Sequence, residues 1–267
     1  TEGVFGIPTL VSATFIYLFV VFGSVMMHGG LLKFFTDFAL AVAGWTRGGA
    51  GKVAVISSGL FGTVNGSAIA NAVTTGAFTI PLMRRAGYRP EFAAGVESPA
   101  SMGVQLIPPV MGAAAFIMAE TLGVPYWTIA VSAAIPGVLY FVAVGVMVHF
   151  EAARQGLPVI PRAELPSVWA VLGRDFYLLA GPAVLLYFLV QGRSPLFAGF
   201  WALIVAVAAS YIRRETRIGP KEVVAILVDS AQNALPVALA CATVGIVVGV
   251  VSLTGLGLKL ASGILGI

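Results

Sequence analysis

Apolar residues run along this chain in long blocks, with polar and basic residues gathered between them. Pro8 to Met27, Tyr126 to Phe150 and Leu235 to Leu253 come near or exceed the roughly 18 to 20 residues that carry a helix across a bilayer, so each predicts a span. Shorter blocks read differently. Leu31 to Ala43 mixes Lys33 and Asp37 with Phe and Leu, the pattern of a helix lying at the membrane interface. Asp175 to Gln191 predicts a crossing outward, and Leu196 to Tyr211 predicts the return towards Arg213, Arg214, Arg217 and Lys221.

The stretch from Val53 to Met83 is bounded by positive charge on both sides, Arg47 and Lys52 before it and Arg84, Arg85 and Arg89 after it. Lys and Arg in short loops favour the cytoplasm, so a single crossing would leave one cluster on the wrong face. A re-entrant hairpin removes the conflict. Its middle, Gly62-Thr63-Val64-Asn65-Gly66-Ser67, is small, polar and poor in helix formers, which predicts a turn at membrane depth covered by protein or water. Limbs of about 12 to 16 residues reach roughly 18 to 24 Å, to the midplane and back. The next block, Glu91 to Leu122, is interrupted by Gly103-Val104-Gln105-Leu106-Ile107-Pro108-Pro109, where glycine adds freedom and paired prolines donate no backbone hydrogen bond. It predicts two half-helices joined by unwound chain. Tyr126 to Phe150, with a kink at Pro136, then returns to a polar connection from Glu151 to Arg174 that separates two halves.

Composition narrows the class. Hydrophobic residues make up 59% of the chain and charged ones 10%, against roughly a quarter charged in a soluble domain, so the fold is an all-α polytopic membrane protein. The 32 glycines and 15 prolines fit helices broken where protein or a cavity satisfies the freed backbone. A net charge of +4, spread over the loops, fits membrane orientation and no nucleic acid. The single cysteine, Cys241, offers neither a disulfide nor a metal cluster. Ser57, Ser58 and Ser67 have no neighbouring base, and no glycine-rich stretch continues into Lys-Ser/Thr; neither an enzyme nor a cofactor is expected.

Residues 21 to 40 align without gaps on 247 to 266, matching Val21, Gly23, Val25, Gly29, Leu32 and Lys33 with Val247, Gly249, Val251, Gly255, Leu258 and Lys259. One copy runs inward and the other outward, an inverted repeat of the kind transporters favour, with chance similarity among Gly, Val and Leu as the alternative. The second copy then lacks its hairpin and broken helix. With no initiator Met or basic segment before the first span, the chain is expected to be a fragment. It divides into a first span and interfacial helix (1–50), a hairpin with a broken helix (51–122, the hairpin at 53–83 and the broken helix at 91–122), a return span with polar connection and further spans (123–233), and the start of the second repeat (234–267).

Chemistry concentrates at the two interruptions. Asn65, Gly66, Ser67 and Asn71 put amide and hydroxyl oxygens beside carbonyls no helix consumes, ligands suited to a hard cation; a polar turn needed only for packing is the competing reading. Gly103 and Gln105, with Pro108 and Pro109 shaping the break, offer a second set at similar depth. Glu97 is costly facing lipid and should face a cavity or a partner, where Thr74 and Thr75 could join it in lining a substrate cavity. Glu120, Asp229, His28 and His149 lie near predicted span ends, which suits interfacial placement.

At these residues the chain resembles the large membrane subunit of tripartite ATP-independent periplasmic (TRAP) transporters, in particular the branch that uses TAXI-type receptors. The resemblance covers nearly the whole chain. It is carried by Gly66-Ser-Ala-Ile-Ala-Asn71 with Thr74-Thr75-Gly76, Ile80-Pro-Leu-Met83, Gly87-Tyr-Arg-Pro90 and Ile107-Pro-Pro-Val-Met-Gly-Ala-Ala-Ala-Phe-Ile-Met-Ala-Glu120. Two departures stand out: Asn65 where a serine is expected, and Ser101-Met-Gly-Val-Gln105 where Thr-Gly-Gly-Gln is expected. The resemblance implies an elevator-type carrier in a bacterial inner membrane, with sodium as coupling ion and no other cofactor. Its sodium site would use Asn65, Gly66, Ser67, Gly103 and Gln105. It also implies a periplasmic solute-binding protein, a small membrane subunit or fused equivalent, and an organic acid or amino acid as substrate. A receptor-independent dicarboxylate or citrate carrier and a membrane-embedded enzyme are the alternatives.

Overall fold

The computed structural model describes residues 3–256, 259, 262 and 263, and the regular structure among them is helical throughout. Helices α1 (Ile7–Val11) and α2 (Tyr17–His28) form one span joined by a π-helical turn at Ser12–Ile16, with Pro8 tolerated in the first turn, where no intrahelical partner for its N–H is lost. Gly30, at φ +93°, turns the chain into α3 (Leu31–Ala43), which coincides with the predicted interfacial block. The hairpin limbs are α4 (Gly49–Asn65) and α5 (Ala68–Arg85).

The non-helical part of the tip is narrower than its composition predicts, since Gly62 to Asn65 stay helical and only Gly66 and Ser67 leave the helix. Packing overrides the weak propensity there. Gly62 lies so close to Val104 that an added Cβ would stand 2.4 Å from the Val104 Cβ, which only glycine permits. Gly66 closes α4 at φ +63°, its N–H donating to the Gly62 carbonyl, and Ser67 opens α5 by accepting from the Ala70 N–H at 3.3 Å.

The second interruption matches expectation. Helix α6 (Pro90–Met102) runs into one 3-10 turn at Gly103–Gln105, the chain is irregular from 106 to 112, and α7 (Ala113–Leu122) resumes. Then follow α8 (Tyr126–Arg154), α9 (Val168–Asp175), α10 (Ala180–Val190), α11 (Pro195–Ser210) and α12 (Pro220–Thr254). Four stretches among the described residues are long and apolar enough to cross a membrane: Gly3–His28, Tyr126–Arg154, Arg162–Val190 and Pro220–Thr254.

Helix α12 begins at Pro220, well before the apolar block at Leu235, so Asp229, Gln232 and Asn233 lie inside a helix that hydropathy alone truncates. It packs along α1 and α2 in the opposite direction: His28 meets Asp229 near one end, and Gly245 abuts the Gly3 carbonyl near the other. Gly255, at φ +62°, ends α12 as Gly29 and Gly30 end α2. The pairing of Leu32 with Leu258 falls outside the described residues.

Two apolar clusters hold the helices. One joins α2, α10 and α11 to Phe61, Val64, Val110 and Met111 around the two interruptions. The other joins α4, α5, α6 and α8 through small residues, Ala50, Ala54, Ala93, Ala100 and Ala152, which let the helices approach closely. Tyr88, in the turn between α5 and α6, sits beneath this second cluster. Burial, with the Glu151 charge adding to it, pushes its hydroxyl up to about 12, so it stays protonated and donates to the Gly48 carbonyl at 3.3 Å.

Candidate transport site

The hairpin tip and the broken helix touch through backbone. The Val110 N–H donates to the Thr63 carbonyl at 3.0 Å, and a Cβ on Gly66 would stand 2.6 Å from the Met111 carbonyl oxygen and 3.0 Å from that of Val110. The carbonyls of Val64, Asn65 and Gly66 accept no hydrogen bond among the described residues. The Val110 and Met111 carbonyl oxygens thus lie against Gly66, beside tip carbonyls that no hydrogen bond uses, and such oxygens are what a desolvated alkali cation requires. Tyr126 braces the break by donating to the Pro109 carbonyl at 2.7 Å and accepting from the Met111 N–H at 3.2 Å. Tyr126→Phe should cost about 1–3 kcal/mol, because the Met111 N–H is left buried and unpaired; thermal unfolding of the purified protein measures this.

Two cavities flank the tip. One of 220 Å³ lies between Asn65, Ser67 and Thr74 on the hairpin and Asp229, Gln232 and Asn233 on α12. The other, of 230 Å³, brings Asn65, Gly66 and Ser67 together with Gln105 and reaches Pro236, Val237 and Ala240 of the same α12 face. Gly103 stands apart, packed on the Tyr140 ring, where an added Cβ would meet the ring at 2.5 Å. It shapes the break from behind.

Asn71, Thr75 and Glu97 are in a different place, a closed polar cluster formed by α4, α5 and α6. Glu97 is 3% exposed. Its Oε1 accepts from Thr75 at 2.5 Å and from Ser101 at 3.1 Å, with Ser58 at 3.4 Å, and its Oε2 accepts from Thr79. The Asn71 amide nitrogen donates to Ser101 at 3.0 Å and to Thr75 at 3.3 Å, while its Oδ1 is buried without a partner. No cation pairs with Glu97 among the described residues. Thr74 thus lines a tip cavity, whereas Thr75 and Glu97 belong to the cluster.

Residue types alone miss Ser58, Thr79 and Ser101, although the spacing of Asn71, Thr75 and Thr79 at every fourth position marks one face of a helix. His28 and Asp229, far apart in sequence, meet in the fold. The His28 Nδ1 lies 3.0 Å from the Ser24 carbonyl and its Nε2 3.2 Å from Asp229 Oδ2, a contact that brings α2 and α12 together beside the cavity.

The family model described as "Tripartite ATP-independent periplasmic transporter, DctM component" matches residues 4–267. A putative TRAP transporter large permease protein of Haemophilus influenzae is 26% identical over 194 residues, covering 71% of this chain and 45% of the relative. The 2,3-diketo-L-gulonate TRAP transporter large permease protein YiaN of Escherichia coli is 28% identical over 197 residues, 70% of this chain and 45% of the relative. The sialic acid TRAP transporter large permease protein SiaM of Vibrio cholerae is 27% identical over 175 residues, 66% of this chain and 40% of the relative. The chain spans about half the length of the curated relatives it matches.

Proposed function

Because the chain belongs to the DctM-component family of tripartite ATP-independent periplasmic transporters, we propose that it supplies the first hairpin and first broken helix of an ion-coupled importer in the bacterial inner membrane. The proposed cargo is an organic acid or amino acid, delivered by a periplasmic solute-binding protein of the TAXI type and carried with the help of a small membrane subunit or its fused equivalent. Sodium is the proposed coupling ion. One observation carries this reading: the carbonyl oxygens of Val110 and Met111 lie against Gly66, at a tip whose Val64, Asn65 and Gly66 carbonyls accept no hydrogen bond among the described residues. Asn65, Ser67 and Gln105 supply further oxygens around the second cavity. The proposed movement is that of an elevator: the hairpin and half-helix, joined to α8 by the second apolar cluster, travel past α2, α10 and α11, and the contacts of Phe61 and Val64 in the first cluster are the ones that must slide.

Receptor-dependent uptake in proteoliposomes, using the full-length protein and an imposed sodium gradient, tests the reading. Asn65→Ala should lower sodium-stimulated uptake about tenfold at unchanged protein level, equivalent to about 1.4 kcal/mol. Equal uptake by variant and parent at low sodium would count against an ion at the tip.

A specific observation also favours a proton as coupling ion. Glu97 is a buried carboxyl group with no cationic partner among the described residues, and hydroxyls already surround its oxygens, Thr75 at 2.5 Å and Ser101 at 3.1 Å. A proton is the one cation that fits without rearrangement. Uptake driven by a pH gradient with sodium absent separates the two readings.

A further inference from the structure

A groove of 580 Å³ runs between the outer side of α4 and α8, from Lys52 and His149 at one end to Thr63 and Ile107 at the other. Its walls are apolar: Val55, Gly59 and Leu60 from α4, and Phe141, Val142 and Val146 from α8. Helix α8 buries only 11% of its most apolar window, so this face meets the hydrocarbon of the bilayer. Gly145 keeps the trench open, since a Cβ there would meet nothing within 4 Å.

One end of the groove is cationic. Lys52 donates to Thr46 Oγ1 and to His149 Nδ1, each at 3.2 Å, and an ammonium has three N–H groups, so one is left over. With its Nδ1 accepting, His149 carries its ring proton on Nε2 and presents a second free donor. No carboxylate pairs with Lys52 among the described residues. From this end to Val138 the helix runs about 17 Å, a little over half of a hydrocarbon core of about 30 Å and hence the depth of one leaflet. The basic residues around Lys52 place that end at the cytoplasmic face, where anionic lipids are enriched.

We propose that the α4–α8 groove binds an anionic phospholipid, its phosphate on Lys52 and His149 and one acyl chain along Gly145 to Val138. Charge selects this occupant over a polypeptide segment. A helix covering the groove would gain nothing from two unsatisfied donors at its rim, whereas a phosphate accepts from both. The lipid then wedges the hairpin limb against α8, so its occupancy should stabilise their contact.

The test uses the full-length protein in neutral detergent, with thermal unfolding followed as phosphatidylglycerol or phosphatidylcholine is added. Phosphatidylglycerol should raise the Tm by about 2–4 °C, and phosphatidylcholine should not. Gly145→Leu, which fills open space and leaves the packing intact, should abolish the shift; Lys52→Gln should at least halve it, and Lys52→Arg should keep it. A photo-crosslinking residue at Val146 should form an adduct with the mass of a phospholipid. Equal shifts with both lipids, an undiminished shift in Gly145→Leu and Lys52→Gln, a peptide adduct or no adduct at all would each overturn the assignment.

Discussion

Replacing Gly66 by valine is expected to abolish receptor-dependent uptake by the full-length protein, by more than tenfold, while the protein still inserts at near-normal level. Two costs fall on this position. The backbone is left-handed at φ +63°, which costs an L-residue about 1–2 kcal/mol and more when the side chain is β-branched. The new Cβ would also stand 2.6 Å from the Met111 carbonyl oxygen and 3.0 Å from that of Val110, so the tip must withdraw from the break. The carbonyls that would share an ion are then parted. Gly123→Val supplies the control, because Gly123 has nearly the same φ, +64°, yet an added Cβ meets nothing within 4 Å. Equal loss of uptake in both variants would show that backbone strain, and not the meeting of the two interruptions, was responsible.

Both interruptions were legible in the sequence because each leaves a signal that residue types can carry. Charge on both sides of Val53 to Met83 forced a hairpin, and Pro108 and Pro109 forced a break, whatever the packing around them. The partners across the site were less legible. Val110 and Met111 meet the tip through backbone atoms, to which a reading of side chains is blind. Ser58 and Ser101 join Glu97 only once three helices pack in one register, although Ser101 lies four residues after Glu97 on the same helical face. Asp229, Gln232 and Asn233 depress hydropathy and so read as the edge of a span, whereas the backbone continues through them. A charged residue within a membrane helix must find a cavity or a partner, and Asp229 finds both, in the 220 Å³ cavity and in His28.

The Glu97 cluster gives the second large effect, on stability. Glu97→Ala should destabilise the protein by about 2–4 kcal/mol, from the cavity left by a buried side chain and from hydroxyls deprived of their acceptor. Not every hydroxyl is stranded. Thr75 can turn to the Asn71 carbonyl at 2.7 Å, Thr79 to the Thr75 carbonyl at 3.0 Å and Ser58 to Thr75 Oγ1 at 3.1 Å, so the loss centres on Ser101. Glu97→Gln keeps the volume and an accepting oxygen, and the cluster already holds one spare acceptor, Asn71 Oδ1, for the new amide protons. Its thermal midpoint should therefore stay within about 1 kcal/mol of the parent, and a loss as large as that of alanine would mean that the negative charge itself holds the three helices together. Since the glutamine variant is expected to fold, its transport is informative. Sodium-driven uptake that survives in Glu97→Gln but fails in Asn65→Ala assigns the coupling ion to the tip, and the reverse pattern under a pH gradient assigns it to Glu97, because an amide cannot take up and release the proton that a carboxylate can.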